Sequence, residues 1–324
     1  MILKTDDSFH HNHGDPHWNE SAWLPFMVPE KGLSGWIYFF HRTTLGYTIG
    51  GVAAWDSSGE DMWNCRHYDW GIPYPTPAGA DMYDFTLPNS LTVETIESME
   101  SYRFYYDAGG CQLEMRWDAT MPAHDTGYPD HSHEWGSAHY EQCGKMTGTL
   151  VLDGERFEVD CWSNRDRSWG PREVKVNPRG DFPWAVASKD HSFHVTAMTR
   201  LAVEDDPVEG VVDPIVSGWY LRDGELAAVT GGTREVVRGD DGRVLSIRVE
   251  AVDAKGRPLK AEGKPVNWFR WTGLPVFNYF CLTEWDLNGE KAWGEVQDFF
   301  PVSQFRQFAR SRQDGQHIGV RETA

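Results

Sequence analysis

The side chains best suited to chemistry are concentrated in residues 164–172, which read Asn-Arg-Asp-Arg-Ser-Trp-Gly-Pro-Arg. One carboxylate, Asp166, lies here among three arginines, which is an unusual density of functional groups. If Arg165 and Arg172 form ion pairs with Asp166, they lower its pKa and make it a structural carboxylate. If Asp166 instead lies in an apolar, water-poor site, its pKa rises and it can donate a proton. These residues alone leave both interpretations open.

His139 and Glu141 form a second candidate pair, because they are two residues apart in a segment expected to be a strand. Side chains with that spacing point to the same face of a strand, so a base and its orienting partner, or a proton relay, is one interpretation. A solvent-exposed outer face is the other. His131 and His133 lie just upstream and could bind a metal together with His139. Their spacing matches no standard metal motif, and we predict no metal site.

Charge is distributed unevenly along the 324 residues. The formal net charge is −19, of which residues 1–160 carry −17 and residues 161–324 carry −2. A strongly acidic chain disfavours nucleic acids and anionic membrane surfaces as partners. The change in composition near the middle predicts two domains, at residues 1–162 and 163–324.

Cysteine usage and hydropathy bear on the compartment. The five cysteines include no C-x-x-C pair, which favours a reducing environment over a disulfide framework. The first residues are too polar and acidic for a signal peptide, and the longest clean apolar run, Trp36–Phe40, is far too short for a membrane span. We therefore expect a cytoplasmic protein without a membrane-spanning segment.

Strand patterns dominate the sequence. Residues 113–118 and 245–251 alternate apolar and polar side chains, as half-buried strands do. The clearest hairpin joins residues 150–152 to residues 157–159. Helical spacing is found only near the end, behind Pro301, where we predict a short helix. Tight-turn dipeptides that suit hairpins lie between the strand-like runs, at Asp153-Gly154, Asp223-Gly224, Asp241-Gly242 and Asn288-Gly289.

These patterns predict an all-β protein made of two antiparallel β-barrels or sandwiches packed together. A barrel of eight strands can hold one small apolar ligand. The sequence contains no G-x-S-x-G, P-loop or G-x-G-x-x-G motif. Serine hydrolases, nucleotide phosphotransferases and classical dehydrogenases are therefore disfavoured.

The segment from Trp162 to Gly170 resembles the W-x-x-x-D-x-x-W-G motif of a tandem lipocalin-like superfamily. That superfamily contains the carotenoid 1,2-hydratases (hydroxyneurosporene synthases) and fungal Diels–Alderases. Shorter similarities lie at residues 15–21, 139–142 and 218–224. The resemblance implies two lipocalin-like barrels with a ligand pocket in or between them. It also implies acid-catalysed chemistry on alkenes, or cyclisation, without a redox cofactor, and Asp166 occupies the position of the motif's acid.

We therefore predict a lyase or isomerase that hydrates, dehydrates or cyclises an apolar, alkene-bearing small molecule, such as a terpenoid or a prenylated aromatic. The alternatives are a hydrophobic-ligand carrier without catalysis, a pericyclase that works by shape alone, and a metal enzyme. The oligomeric state is left open. The predicted catalytic residues are Asp166 as acid with His139 and Glu141 as relay, and the predicted ligand-binding residues are Arg165, Trp135, Trp169, Tyr279, Glu284 and Trp285.

For the last two residues the resemblance and the local sequence suggest different roles. Glu284 and Trp285 resemble a carboxylate–aromatic pair near the end of the family's second barrel. The alternative is that Trp285 packs the end of that barrel and Glu284 pairs with an arginine.

Overall fold

Alternation of apolar and polar residues produces antiparallel strands along most of the chain. The computed structural model describes residues 2–126, 138–172, 179–199, 212–273 and 276–315. Two short 3-10 helices, Lys4–Asp7 and Pro29–Lys31, flank the first strand. The strands are β1 Trp18–Val28, β2 Leu33–Arg42, β3 Tyr47–Trp55, β4 His67–Asp69, β5 Pro73–Pro75, β6 Phe85–Thr86, β7 Thr92–Glu97, β8 Ser101–Ala108, β9 Cys111–Ala119, β10 His124–Asp125, β11 Ala138–Leu152, β12 Glu155–Pro171, β13 Arg179–Asp181, β14 Trp184–Ser188, β15 His191–Thr199, β16 Val212–Arg222, β17 Glu225–Arg238, β18 Val244–Asp253, β19 Pro258–Pro265, β20 Phe269–Gly273, β21 Val276–Leu287 and β22 Glu290–Pro301, and one α-helix follows, α1 Val302–Gly315.

The first sheet has twelve strands, and its main path runs β4-β3-β2-β1-β12-β11-β9-β8-β7-β6. The long hairpin of β11 and β12 forms its centre, with Leu150 opposite Phe157 as the sequence predicts. The far edge of β12 pairs with β1, the first strand of the chain. β12 therefore lies between β1 and β11, two long strands that hold it in register.

The second sheet closes on itself. Eight strands, β14 to β19 with β21 and β22, form the ring, because β22 pairs with both β14 and β21. β13 and β20 lie at its margins. The predicted fold class, two lipocalin-like antiparallel β units packed together, is confirmed.

The predicted elements and boundaries map onto this fold as follows. The helix behind Pro301 is present as α1. β12 runs as one strand across the predicted domain boundary between residues 162 and 163, and the next strand, β13, begins at Arg179 in the second sheet. Within the described ranges, no helix is both long and apolar enough to cross a membrane.

An aromatic cluster joins the two sheets. Trp23 stacks on Phe280 with ring centroids 4.8 Å apart, and Trp55 stacks on Phe269 at the same distance. Asn267 of the second sheet, fully buried, accepts a hydrogen bond from the Trp55 indole at 3.1 Å and donates to the Gly32 carbonyl at 2.9 Å. Burial of several large rings contributes roughly 2 kcal/mol or more for each side chain. The two sheets therefore pack face to face as one unit.

A buried guanidinium fills the interior of the first sheet. Arg165, fully buried, donates to Asp7 at 2.9 Å and to Gln142 at 2.6 Å. Four aromatic rings surround it at 4.7–5.2 Å, which suits cation–π contact. Because Asp7 comes from the short helix before β1, this ion pair fixes the N-terminal segment across the core of the sheet.

We predict that Asp7→Asn strongly destabilises the first sheet. The substitution preserves shape but leaves the Arg165 guanidinium buried without its carboxylate, which costs about 3–5 kcal/mol. Urea unfolding followed by circular dichroism measures the change. Glu158→Gln is the control, since it removes an ion pair with Arg156 whose side chains are 60% and 72% exposed, and it should cost at most about 1 kcal/mol. Equal effects of the two substitutions would contradict this view of the core.

Candidate active site

Alternation along β12 separates its side chains into two sets. Arg165 and Arg167 point into the first sheet, where Arg167 pairs with Glu20 at 2.5 Å. Asp166 and Ser168 point the other way, toward the second sheet. Neither of the inward-pointing arginines is the ion-pair partner of Asp166. The sequence alone allowed arginines to surround Asp166. In the structure, Arg165 and Arg167 lie on the face of β12 opposite to Asp166.

Neighbouring strands bring further polar groups to the outward face. β11 places Glu141 opposite Asp166 and His139 opposite Ser168. On its other side, β1 places Trp23 opposite Asp166. The three predicted catalytic side chains, Asp166, His139 and Glu141, therefore lie together, with ligand atoms within 4.8 Å of one another.

The second sheet covers this face and leaves a cavity of about 120 Å³ between the two sheets. A smaller adjoining space of about 50 Å³ reaches deeper, to Glu141 and His194. The cavity thus lies between the two β units, one of the two places that the family resemblance implied. Its walls combine a few polar groups with aromatic rings, and the lining residues are Ser21, Trp23, Tyr38, His139, Asp166, Ser168, Arg172, Phe182, Trp271, Gly273, Val276, Asn278, Phe280, Gln297 and Phe299.

Two carboxyl groups in this seam have raised pKa values. Burial raises the pKa of Asp166 to about 7, against the opposing effects of His139 and Arg172 and with a further increase from Glu141. Burial also raises the pKa of Glu141 to about 8, although Asn164 donates a hydrogen bond to its carboxylate. Near neutral pH both groups hold protons in a large fraction of molecules, so either can act as a general acid.

Two histidines complete the polar cluster. The Nε2 atom of His139 lies 2.8 Å from Glu141 Oε1, and the Nε2 atom of His194 lies 3.2 Å from the same oxygen. Burial lowers the pKa of both imidazoles. Both rings are therefore neutral at neutral pH and can accept a proton from a carboxylic acid.

The same donor set could hold a metal ion, since one histidine and two carboxylates are ligands found in zinc sites. Tetrahedral Zn²⁺ with bonds of 2.0–2.1 Å holds its ligand atoms about 3.4 Å apart. In this structure the His139 nitrogen is hydrogen-bonded to Glu141 instead. Elemental analysis of the purified protein tests the metal alternative.

A guanidinium lies at one side of the cavity. Arg172 donates to the Ser168 hydroxyl at 2.7 Å and to the Ser21 hydroxyl at 3.1 Å. The two serine oxygens lie 2.9 Å from each other. The positive charge of Arg172 also lowers the pKa of the neighbouring Asp166. Arg172 is therefore a cation on the wall of the cavity that also contains Asp166.

Several predicted ligand-binding residues lie elsewhere. Arg165 is inside the first sheet, and Trp169 stacks on His10 with ring centroids 4.3 Å apart. Tyr279 and Trp285 belong to the core of the second barrel. Glu284 pairs with Lys291 at 2.8 Å on the barrel exterior, so its partner is a lysine and not the arginine of the alternative described above. Trp135, His131 and His133 lie outside the described residues.

The cavity contains residues that were not among the predicted site residues. Trp23, Trp271 and Phe280 form apolar wall, while His194 and Asn164 contact Glu141. The sequence offered a signal for Asn164, because a residue two positions before Asp166 on the same strand points to the same face. Trp23 and His194 had none, since only the pairing of distant strands brings them to this face.

Three solved structures are similar to this one over most of their length. A protein from Nitrosomonas europaea assigned as AttH (NE1406) has a TM-score of 0.56 at 16% identity and covers 87% of this chain and 90% of its own. CghA, solved also with Sch210972, has a TM-score of 0.56 at 12% identity, with 88% of each chain covered. Kievitone hydratase from Nectria haematococca has a TM-score of 0.52 at 11% identity, with 89% of each chain covered.

These likenesses show that the protein shares the tandem lipocalin-like β fold of these structures, as the resemblance predicts. The chain belongs to the family described as Domain of unknown function (DUF7064), whose model matches residues 4–297. No curated protein matches the sequence.

We predict that Glu141→Gln has a pH-dependent effect on stability. A carboxyl whose folded pKa is raised loses stability as pH rises from its unfolded value, near 4.5, toward its folded value of about 8. Glutamine has no such titration and can still accept a hydrogen bond from Asn164. The variant should therefore gain stability relative to wild type between pH 5 and pH 8, by an amount on the order of a few kcal/mol.

Urea unfolding at both pH values measures this difference. Glu158→Gln, at an exposed position on β12, is the matched control and should show little pH dependence. If Glu141→Gln shows the same difference from wild type at both pH values, the Glu141 carboxyl is not held neutral in the seam.

Proposed function

We propose that this protein is a lyase or isomerase that uses Asp166 to protonate an alkene-bearing small molecule bound between its two β units. The observation that carries the proposal is a carboxyl group with a pKa of about 7 on the wall of an aromatic-lined cavity. Kievitone hydratase, which shares the fold, is by name a hydratase, and this supports chemistry of the same class. The terpenoid or prenylated aromatic nature of the substrate is part of the proposal.

The chemical step begins with proton transfer from Asp166 to one alkene carbon. The π electrons form the new C–H bond, and the other carbon becomes a carbocation. In hydration, the oxygen of a water molecule bonds to that carbon and then loses a proton. The proton returns to the carboxylate of Asp166, which leaves the protein unchanged. Dehydration is the same sequence in reverse. In cyclisation, the π electrons of a second alkene of the substrate form a C–C bond to the cationic carbon, and the new carbocation loses a proton from a neighbouring carbon to the carboxylate of Asp166.

The aromatic wall supports the cationic intermediate. Trp23, Trp271 and Phe280 line the cavity, and the ring centroids of Trp23 and Phe280 are 4.8 Å apart. The faces of such rings attract a cation by about 0.5–2 kcal/mol each, most strongly where water is excluded. The same rings limit how many water molecules can reach the cation, which favours one product over random capture.

Glu141 and His139 are proposed to keep Asp166 supplied with protons. A protonated Glu141 can donate to His139 Nε2 across 2.8 Å, and the ligand atoms of His139 and Asp166 lie within 4.8 Å of each other. The pair can also accept the proton released by the attacking water. In this role the predicted relay residues act through Asp166, so they are positioning and proton-transfer groups.

A carrier without catalysis and a pericyclase that works by shape remain the alternative functions. Both predict dependence on the aromatic wall and no requirement for a proton on Asp166. A carrier returns its ligand unchanged, whereas a pericyclase converts it. Variants of Asp166 and of the aromatic wall therefore separate these functions from the proposed one.

We predict that Asp166→Asn lowers kcat by about 10²–10⁴-fold with little change in substrate binding, because asparagine keeps the shape but cannot donate the proton. Purified protein is incubated with linalool, geraniol, citronellol and prenylated phenols, and products are separated by gas chromatography with mass detection. Asp160→Asn is the control, since Asp160 lies exposed on the same strand. Undiminished turnover by Asp166→Asn would remove the acid from the mechanism and favour the pericyclase.

We also predict an activity that is lost as pH rises through about 7. Asp166 must carry its proton to donate it, and that proton dissociates with a pKa of about 7. The measurement is kcat/KM from pH 5 to 9 on whichever of these compounds is converted. A rate that rises across this range would show that the carboxylate form acts instead, as a base.

A further inference from the structure

We propose that the side-chain amide of Asn278 binds a neutral oxygen atom of the substrate, in a carbonyl or hydroxyl group. This inference rests on the proposed function, and it narrows the substrate class to alkenes that also carry such an oxygen. Asn278 belongs to β21 of the second sheet and lines the cavity that contains Asp166. The second sheet thus contributes a polar group to its mostly apolar part of the cavity wall.

Alternation along β21 directs Asn278 toward the cavity. Phe277 and Tyr279 belong to the core of the second barrel. Val276, Asn278 and Phe280 point the other way and line the cavity. Asn278 is therefore the polar member of a row whose two neighbours on the same face are apolar.

The amide nitrogen of Asn278 is a buried donor that lacks an acceptor among the described residues. Asn278 is only 7% exposed. Its neighbours on the adjacent strands are Trp271 and Phe299, two aromatic residues that also line the cavity. Because a buried donor without an acceptor is destabilising, packing alone favours an apolar residue at this position. An oxygen of a ligand in the cavity supplies the missing acceptor.

The surroundings of this amide favour an uncharged ligand group. The amide N–H is a neutral donor, and the side chains of Val276, Phe280 and Trp271 carry no charge that could stabilise an ion. An ionised group held against such a wall loses its hydration without compensation. A carbonyl or hydroxyl oxygen accepts the same hydrogen bond at a much lower cost of desolvation.

Asn278 and Asp166 line the cavity from the two different sheets. Phe280, two residues from Asn278, stacks on Trp23 with ring centroids 4.8 Å apart, and Trp23 lies opposite Asp166 in the first sheet. Two residues along a strand span roughly 7 Å. A ligand whose oxygen is held by Asn278 therefore extends past Phe280 toward the acid. Its alkene and its oxygen are several bonds apart.

The test uses pairs of volatile ligands that differ in one oxygen group. Carvone carries a carbonyl group where limonene has a methylene group, and 4-allylphenol carries a hydroxyl group that allylbenzene lacks. Headspace gas chromatography measures the free ligand above the protein solution and hence the dissociation constant. The measurements are made at pH 7 in wild type and in an Asp166→Asn background, in which the acid does not consume the ligand.

We expect Asn278→Leu to act in opposite directions on the two members of a pair. Leucine keeps the branched shape of asparagine but cannot donate, so the oxygenated ligand loses its hydrogen bond and should bind about fivefold or more weakly. The hydrocarbon no longer covers an amide that it cannot hydrogen-bond, so it should bind as tightly as before or more tightly. A residue with a purely structural role would change both affinities in the same direction.

Stability gives a second readout that needs no ligand. Because leucine replaces a buried, unpartnered amide among apolar residues, the urea midpoint of Asn278→Leu should be at or above that of wild type. Asn278→Val, with a smaller side chain, is made in parallel and covers the case in which leucine is too large for the wall. If both variants fail to fold, the amide is needed for the structure itself and the proposal is overturned.

Asn19→Leu is the matched control. Asn19 is 1% exposed and its amide also has no partner among the described residues, but it lies outside the cavity wall. This substitution should leave the relative affinities within each pair unchanged. The proposal is overturned if wild type binds neither oxygenated ligand, if Asn278→Leu changes both members of each pair by the same factor, or if Asn19→Leu has the same effect as Asn278→Leu.

Failure of this subsite and failure of the proposed function are distinguishable, because binding in the Asp166→Asn background does not depend on the acid. If Asn278→Leu has opposite effects within a pair and wild type converts no compound, the catalytic proposal fails while the oxygen subsite stands. If alkenes are converted and the opposite effects are absent, the subsite alone is wrong.

Discussion

The arrangement of the whole site depends on the pairing of β12 with β1 and β11. Backbone hydrogen bonds on both edges hold this strand in one register, with Asp166 between Trp23 and Glu141. A slip by one residue would turn Asp166 into the first sheet and expose Arg165 to the seam. The buried ion pair of Arg165 with Asp7 stabilises the correct register, because it is lost in the alternative. The core of the first sheet thus protects the geometry of the outward face.

The second sheet contributes to the site mainly by excluding water, and it provides few reactive groups. Its aromatic side chains cover the outward face of the first sheet, and Asn267 connects the two through hydrogen bonds to Gly32 and Trp55. The consequence is electrostatic, since burial is the largest cause of the raised pKa values of Asp166 and Glu141. A carboxylic acid that keeps its proton near neutral pH requires such a place.

The all-β architecture and the motif that contains Asp166 could be predicted from the sequence, but most of the cavity wall could not. Period-two alternation and turn dipeptides are local signals, and so is the motif around Asp166. Arg165 was grouped with Asp166 because the two are adjacent in sequence, although alternation on a strand separates adjacent side chains. Tyr279 and Trp285 are aromatic residues of a kind that fills any barrel core, and nothing local distinguishes them from Trp271, which does reach the cavity. Trp23 and His194 meet Asp166 and Glu141 only through the topology of two sheets.

The seam contains a third acidic group, Glu295, whose pKa burial raises to about 8 although Gln297, Trp184 and Trp23 oppose the rise. Three carboxyl groups that are ionised in water near pH 7 thus keep a large share of their protons where the sheets meet. Bringing the two halves of the molecule together must therefore take up protons from the solvent. The number taken up falls as pH rises through the folded pKa values of about 7 to 8. Raising the pH through these values therefore weakens the join between the two sheets.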